Sequence, residues 1–505
     1  MPSAEPSTIT ITAPSLGGVK ITGKCTTGAT TEFRGLKFAS VEKRYEYPTP
    51  VDSYASDYDA TEFGPIPPQP PQVFSPGIPE DQRPPPRPRM DEFECLNLCI
   101  MRPTVVENPI PVMIWIFPGG NMTGCASDKT YDPTVLVTRS SELGKPIMFV
   151  RLNYRLSLIG FVKIDGRANQ GMYDQLEGIR WVKKHIADFG GDPENITVLG
   201  ESAGSLATHY HGINEISKGL FKRLGMMSTF VEARTPRPLS EADEIVRKAK
   251  EVTGTTTDEE FKQVSVDALM KAVPIIGGMY GPVDDGDFLG NGPFIDKPLI
   301  DDVAEVMLGN CRFEAIFYAP KIKALVPLDQ MHPRLAAVEK VGDMLVDYYG
   351  ITPEGSQENF DKHIVLYDDI SYGQPMHNTV NSLRERRQQK VYSYLFDEPN
   401  PYIPSLDAHH GVDVFYFFNA YKFDPKYDGF IEKYQTGWIN FANGLPPWGF
   451  LAADHEVDKV VMLDQDIHEM AEGEYEQRRH VDTFNKLNEH RGQFDSYGLT
   501  RRYLM

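Results

Sequence analysis

The chain is short of what ties an extracellular or membrane protein together. Its five cysteines (Cys25, Cys95, Cys99, Cys125 and Cys311) are an odd number with no recognisable disulfide framework. No apolar run approaches the roughly 18 residues that a membrane span requires. The opening Met1-Pro-Ser-Ala-Glu-Pro-Ser-Thr8 has neither the basic nor the apolar region of a secretory leader, and Arg501 to Met505 carries no readable address. Together these absences lead to the expectation of a reducing, cytoplasmic setting. Positive charge is also in deficit: 51 Lys and Arg face 71 Asp and Glu, for a net −20. That balance disfavours non-specific contact with nucleic acid or an anionic membrane. There is no internal repeat, no phosphate-cradling glycine loop and no dinucleotide fingerprint, so no cofactor is expected. The nearest approach to a metal pair is His209-Tyr210-His211, but residues two apart point to different faces of a helix. No metal site is expected either.

What is present begins with Ile196-Thr-Val-Leu-Gly-Glu-Ser-Ala-Gly204. A β-rich run enters Gly200-Glu201-Ser202-Ala203-Gly204, and a helix-compatible run, Ser205 to His209, follows. Strand, G-x-S-x-G and helix in that order form a nucleophile elbow, whose strained turn exposes the Ser202 hydroxyl. Side chains two positions either side would crowd it, so Gly200 and Gly204 supply room. The helix that starts at Ala203 aims its first N–H groups at the same spot, which suits a developing oxyanion. Glu201, beside the nucleophile, is expected to be buried in support and not to react.

The other members of such a site follow in hydrolase order: serine, acid, histidine. His410, in Ala408-His-His-Gly-Val-Asp413, lies on a loop beyond the strand-like run Val391 to Phe396. Glu314 follows another apolar run, Val306 to Cys311. Asp284, Asp285 and Asp413 are rival acids. The first two sit in a Gly/Asp-rich turn where carboxylates cap backbone N–H groups, and Asp413 is too close in sequence to His410 to reach its far ring nitrogen. Upstream, the apolar run Pro111 to Phe117 leads into Pro118-Gly119-Gly120-Asn121, where consecutive glycines let backbone N–H groups approach a ligand.

These segments, with others along the chain, resemble the type-B carboxylesterases, a family that includes cholinesterases, lipases and microbial esterases. Phe33-Arg-Gly-Leu-Lys-Phe-Ala39, Glu94-Cys-Leu-Asn-Leu98, Asn153-Tyr-Arg155, Asn169-x-Gly-x-x-Asp174-Gln175, Phe189-Gly-Gly-Asp-Pro-Glu-Asn195, Gly281 to Leu289 and Phe441-Ala-Asn-Gly444 with Pro447-Trp448 match its motifs in order. The resemblance implies one α/β-hydrolase domain over residues 1–505, with a large, mostly parallel sheet, flanking helices and long insertions over an active-site gorge. It implies Ser202 as nucleophile, Glu314 as acid, His410 as base, and Gly119, Gly120 and Ala203 as oxyanion donors. The activity expected is hydrolysis of carboxylic esters through an acyl-enzyme. Acyl transfer with the same residues, and a non-catalytic adhesion role like that of the neuroligin-like members, are the alternatives.

Departures from the family pattern carry expectations of their own. Pro118 stands where the family has a glycine ahead of its donor pair, giving a stiffer entry to the hole. The position that should hold the partner of Cys95 falls among the prolines Pro65 to Pro68. None of the four tryptophans lies in the loop where choline-binding members carry one. An ester with an apolar acyl or alcohol part is therefore expected over a quaternary ammonium, with Phe74 or Phe93 the available substitutes. The proline-rich stretch Pro65 to Pro88 is expected to be a stiff loop near the gorge mouth, and Ser240 to Lys271 to be helical insertions that cover the site. Asn121 and Asn195 sit in glycosylation patterns but lie against the two key strands and are set aside.

Overall fold

The apolar runs become neighbouring strands because each is buried on both faces, as strands at the middle of a parallel sheet are. In the computed structural model, which describes residues 7–71, 78–277, 280–295, 297–338, 341–448, 460–464, 467–470 and 473–491, they lie in a 13-stranded sheet. Its parallel centre runs Met148–Leu152, Ile110–Ile116, Gly191–Glu201, Arg223–Met227, Glu305–Cys311, Lys390–Phe396 and Val460–Leu463. Antiparallel strands extend one side through Asn97–Pro103, Thr30–Lys37, Val19–Thr27 and Thr8–Ala13, with the short Tyr58–Ala60 parallel to Val19–Thr27 off this path, and Ile467–Glu469 closes the other. This is the α/β-hydrolase fold. The nucleophile strand, Gly191–Glu201, is held between Ile110–Ile116 and Arg223–Met227, both parallel to it, so the carboxyl ends of these strands open on the same edge.

Helices Gln170–His185, Ala203–Gly212 and Asp428–Ala442 cover the sheet with sides that are largely buried. No helix among the described residues is long and apolar enough to cross a membrane. All five cysteines are free, and Cys95, Cys99, Cys125 and Cys311 are buried.

Two segments differ from expectation. The 240–271 region is helical, as Leu239–Thr253, Asp258–Lys262 and Val266–Ile276. Its flanks, Arg234 to Arg237 and Tyr280 to Pro282, reach the catalytic cavity, and the helices themselves do not line it. The cover instead includes a region the sequence did not announce. Helices Ala319–Leu325, Leu328–Ala336, Gly342–Tyr349 and Gln357–Asp368 pack their own apolar cluster around Met331, Leu335, Leu345 and Ile364. A π-helical turn, Asp369–Gly373, then carries the chain into Gln374–Arg386. Such turns recur at functional sites, and this one places Tyr372 in the cavity wall.

The proline-rich stretch lies behind the cavity lining. Residues 72–77, Phe74 among them, and the terminal segments 1–6 and 492–505 fall outside the described residues. No described residue of 65–88 lines the catalytic cavity. The stretch is bolted to the segment after the oxyanion turn: Gln69 Nε2 donates to the Gly124 carbonyl at 2.9 Å, and Arg87 pairs with Asp128 at 2.6 Å.

Candidate active site

Ser202 sits where Gly191–Glu201 turns into helix Ala203–Gly212, with φ 55° and ψ −122°. A non-glycine residue at positive φ is strained, and such strain concentrates at functional turns. The two flanking glycines are needed for a closer approach than the serine alone demands. A Cβ on Gly204 would lie 2.0 Å from the Ile116 carbonyl oxygen, and one on Gly200 would lie 2.5 Å from the backbone of Gly204. The elbow therefore rests directly on the end of strand Ile110–Ile116.

That strand runs on through Phe117 and Pro118 into Gly119 and Gly120, at φ 112° and 64°. A Cβ on Gly119 would strike the Thr123 carbonyl at 2.2 Å, so the tight turn that closes with Thr123 N–H on Gly119 O admits only glycine there. Asn121 is buried, with its amide donating to the Tyr280 carbonyl at 2.9 Å. The Gly119, Gly120 and Ala203 residues line one cavity of about 320 Å³ with Ser202.

The loop after Lys390–Phe396 brings His410 to the serine. Its Nε2 lies 2.7 Å from Ser202 Oγ, and its Nδ1 lies 2.7 Å from Glu314 Oε2. A carboxylate only accepts, so Nδ1 carries the proton toward Glu314 and Nε2 is left to accept from the serine. The other oxygen of Glu314 accepts the Cys311 N–H at 2.7 Å. Glu314 is fully buried; burial raises its carboxyl pKa, while the Ser228 hydroxyl, the Cys311 N–H and the charge of Arg479 favour the ionised form that accepts from His410. Burial likewise pushes His410 down, with Asp413 acting against and Arg234 with that direction, so the resting imidazole is neutral. His409 stands behind, held by the Asn400 amide at 2.7 Å. The rings of Tyr318 and Tyr372 lie 5.5 and 5.2 Å from the His410 ring.

The rival acids lie elsewhere in function. Asp285 accepts the N–H groups of Asp287 and Phe288 and the Asn169 amide, as a turn cap does. Asp284 gives its backbone N–H to the Arg237 carbonyl. Asp413 is buried near the pair and accepts the Val414 N–H. Glu201 comes closer than its expected supporting place. Its Oε1 is 3.3 Å from His410 Nε2, the nitrogen that faces the serine, and it lines the cavity. Burial, and then the nearby carboxyls of Asp413 and Glu314, raise its pKa well above the ordinary carboxylate value. The only advance signal was its position next to Ser202. His209 and His211 form no pair: the first accepts the Val231 N–H and the second meets Gln175.

Residues 5–466 match the model of the carboxylesterase family. The chain belongs to that family. It is 32% identical to Lipase 3 of Yarrowia lipolytica over 458 residues, 86% of this chain and 89% of the lipase. With the para-nitrobenzyl esterase of Bacillus subtilis it shares 24% over 484 residues, 89% of this chain and 94% of that one. Among solved structures, a PNB esterase superposes with a TM-score of 0.76 at 23% identity, covering 93% of this chain and 99% of its own. This carboxylesterase-family chain is accordingly a carboxylic ester hydrolase.

Proposed function

We propose that the hydrolase works through Ser202, His410 and Glu314, with an acyl-enzyme intermediate. The observation that carries this reading is the continuous line Ser202 Oγ–His410 Nε2–His410 Nδ1–Glu314 Oε2, with 2.7 Å at each junction. His410 takes the hydroxyl proton as Ser202 attacks the ester carbonyl, and Glu314 holds the tautomer and supports the imidazolium. The carbonyl oxygen becomes an oxyanion held by the N–H groups of Gly119, Gly120 and Ala203. The alcohol leaves with the proton from His410. Water, activated by the same imidazole, then releases the acid. The cycle consumes one water, and the chain's own residues move each proton between it, the ester and Ser202. Residues 1–505 are read as one α/β-hydrolase unit, supported by the single sheet that runs from Thr8–Ala13 to Ile467–Glu469. A cytoplasmic setting is supported by the five free cysteines.

A fluorophosphonate probe with peptide mapping tests the nucleophile. Label is expected on Ser202. Ser202→Ala should abolish labelling and lower kcat on a p-nitrophenyl ester by about four to six orders of magnitude with the fold intact. Label on another residue, or a folded variant that keeps more than a few per cent of activity, would overturn the assignment.

A further inference from the structure

The loop that carries His410 holds a second histidine, and both of its ring nitrogens are engaged. His409 is buried, borders the cavity beside His410 and stacks on the Phe317 ring at 5.5 Å between centres. Its Nδ1 lies 2.9 Å from the His410 carbonyl oxygen, and its Nε2 lies 2.7 Å from the side-chain nitrogen of Asn400. A carbonyl only accepts, so Nδ1 carries the proton and donates to the backbone of the catalytic residue. The neutral ring then presents a lone pair at Nε2, which the amide N–H of Asn400 meets. One tautomer satisfies both contacts, and the other satisfies neither.

Asn400 selects that tautomer because its own orientation is fixed. It is fully buried, and its Oδ1 accepts the N–H groups of Tyr402 and Ile403, each at 2.8 Å. With the oxygen so committed, the amide offers N–H to His409. The backbone N–H of Asn400 bonds to the Asp407 carbonyl at 3.0 Å and closes the loop on itself. Order therefore runs from the turn at Tyr402 and Ile403 through Asn400 and His409 to the His410 carbonyl. Burial pushes the His409 ring down to about 4, against the pull of the His410 carbonyl, so the ring is neutral at neutral pH. Among the described residues, the titratable group whose charge bears on it is His410.

The chemistry gives this chain of bonds a purpose. His410 must keep Nδ1 on Glu314 while Nε2 passes a proton from Ser202 to the leaving alcohol. Glu314 holds the ring, and His409 holds the peptide from which that ring projects. A tilt of this peptide would carry Nε2 off the serine, and a displacement on the order of 1 Å costs about a hundredfold in rate.

We propose that His409 and Asn400 are positioning residues for the base: the Asn400 amide sets the His409 tautomer, and the His409 Nδ1–H fixes the backbone of His410. The inference rests on His410 being the base in the hydrolase reading and adds two residues that act through it.

The test turns a donor into an acceptor without changing shape. In Asn400→Asp the carboxylate still accepts from Tyr402 and Ile403, but it has no N–H for His409. A neutral His409 would give its one proton to the carboxylate, the stronger acceptor, and set the Nδ1 lone pair against the His410 carbonyl. A doubly protonated His409 would satisfy both neighbours, and the new carboxylate raises the pKa at which it forms. The kcat of Asn400→Asp on a p-nitrophenyl ester, divided by that of the original enzyme at the same pH, should therefore fall by about tenfold or more from about pH 5 to about pH 8.5, with KM changed by less than about threefold. A packing role alone gives a ratio that does not move with pH. His409→Leu should lose about tenfold to a hundredfold in kcat, and His409→Asn, whose amide N–H reaches the same carbonyl, should recover much of that loss. Thermal unfolding checks that each variant is folded, and if His409→Leu is not, the Asn400→Asp ratio decides. A flat ratio for folded Asn400→Asp, or equal kcat in folded His409→Leu and His409→Asn, overturns the proposal. His410→Gln is assayed beside them. If it keeps near the original rate, His410 is not the base and the proposal falls with that reading. If it is inactive while the Asn400→Asp ratio is flat, the positioning role alone is overturned.

Discussion

The Phe313 N–H donates to the Ala408 carbonyl at 3.1 Å. One hydrogen bond thus ties the loop that carries Glu314 to the loop that carries His410, one residue before the acid and two before the base. Arg312 N–H, bonded to the Phe396 carbonyl, anchors the same acid loop to the strand from which the histidine loop departs. The acid is therefore positioned by backbone that is independent of the Arg312 and Phe313 side chains.

From this follows a test of the acid. Glu314→Gln keeps the shape but removes the charge that supports the imidazolium and favours the wrong tautomer. A kcat loss on the order of 10³ to 10⁴ is expected. Asp285→Asn, which alters only a turn cap, should cost far less in kcat. Steady-state kinetics on purified, folded protein decide it. A Glu314→Gln enzyme that turns over at near the original rate would remove Glu314 from the mechanism.

Gly204→Ala probes the seat of the elbow. The added methyl would meet the Ile116 carbonyl at 2.0 Å, and both groups belong to backbone that cannot swing aside. Either the elbow or the oxyanion strand must shift. The expected loss of stability is at the upper end of the about 1–3 kcal/mol typical of overpacking, with a fall in kcat because Ala203 and Gly119 separate. Urea denaturation beside p-nitrophenyl ester kinetics would show both. A variant within experimental error of the original in both respects would mean the contact is not as tight as described.

Much of this was legible in the sequence, for a physical reason. Strands buried on two faces must be apolar throughout, so Ile110–Ile116, Glu305–Cys311 and Lys390–Phe396 announce themselves. The elbow is legible because only glycine fits where backbones nearly touch. What escaped was set by distant pieces of chain. Glu201 meets His410 because a loop more than two hundred residues later folds over it, which local pattern does not encode. The cluster within 313–372 is built from short helices, one of them interrupted by Pro333, that are too brief to show a clear period. Arg234 and Arg237 belong to no local motif and reach the cavity only because the flanks of the 239–276 helices close on it.

The acid limb of the pH profile should reflect the burial of His410. The base must be neutral in the free enzyme, and burial holds its pKa well below the ordinary 6.5, near 3. As pH falls from 8 through 6.5, the imidazole stays unprotonated and kcat/KM should hold its plateau, with the decline beginning only below that window. Assays from pH 8 down to about 4, each followed by return to pH 8 to check reversibility, measure this. A reversible limb centred at 6.5 or above would contradict the buried, neutral imidazole.

Asp413 offers a linkage test that is separate from catalysis. It is fully buried, and burial first, then the neighbouring Glu314, pushes its carboxyl from 3.8 up to about 7. The folded protein therefore keeps a proton that the unfolded chain has already released between pH 3.8 and about 7. With a raised folded-state pKa in an acid, stability is lost as pH rises through that window and the full cost is present above it. Asp413→Asn removes the ionisation while its Oδ1 still accepts the Val414 N–H, a bond of 3.0 Å in the present structure. Relative to the original protein, the variant should have little advantage in melting temperature at pH 4 and a growing advantage toward pH 8. Thermal unfolding of both proteins across that range supplies the comparison. A difference that does not change with pH, or one that shrinks as pH rises, would show that Asp413 is ionised in the folded state and that its burial is offset by a partner.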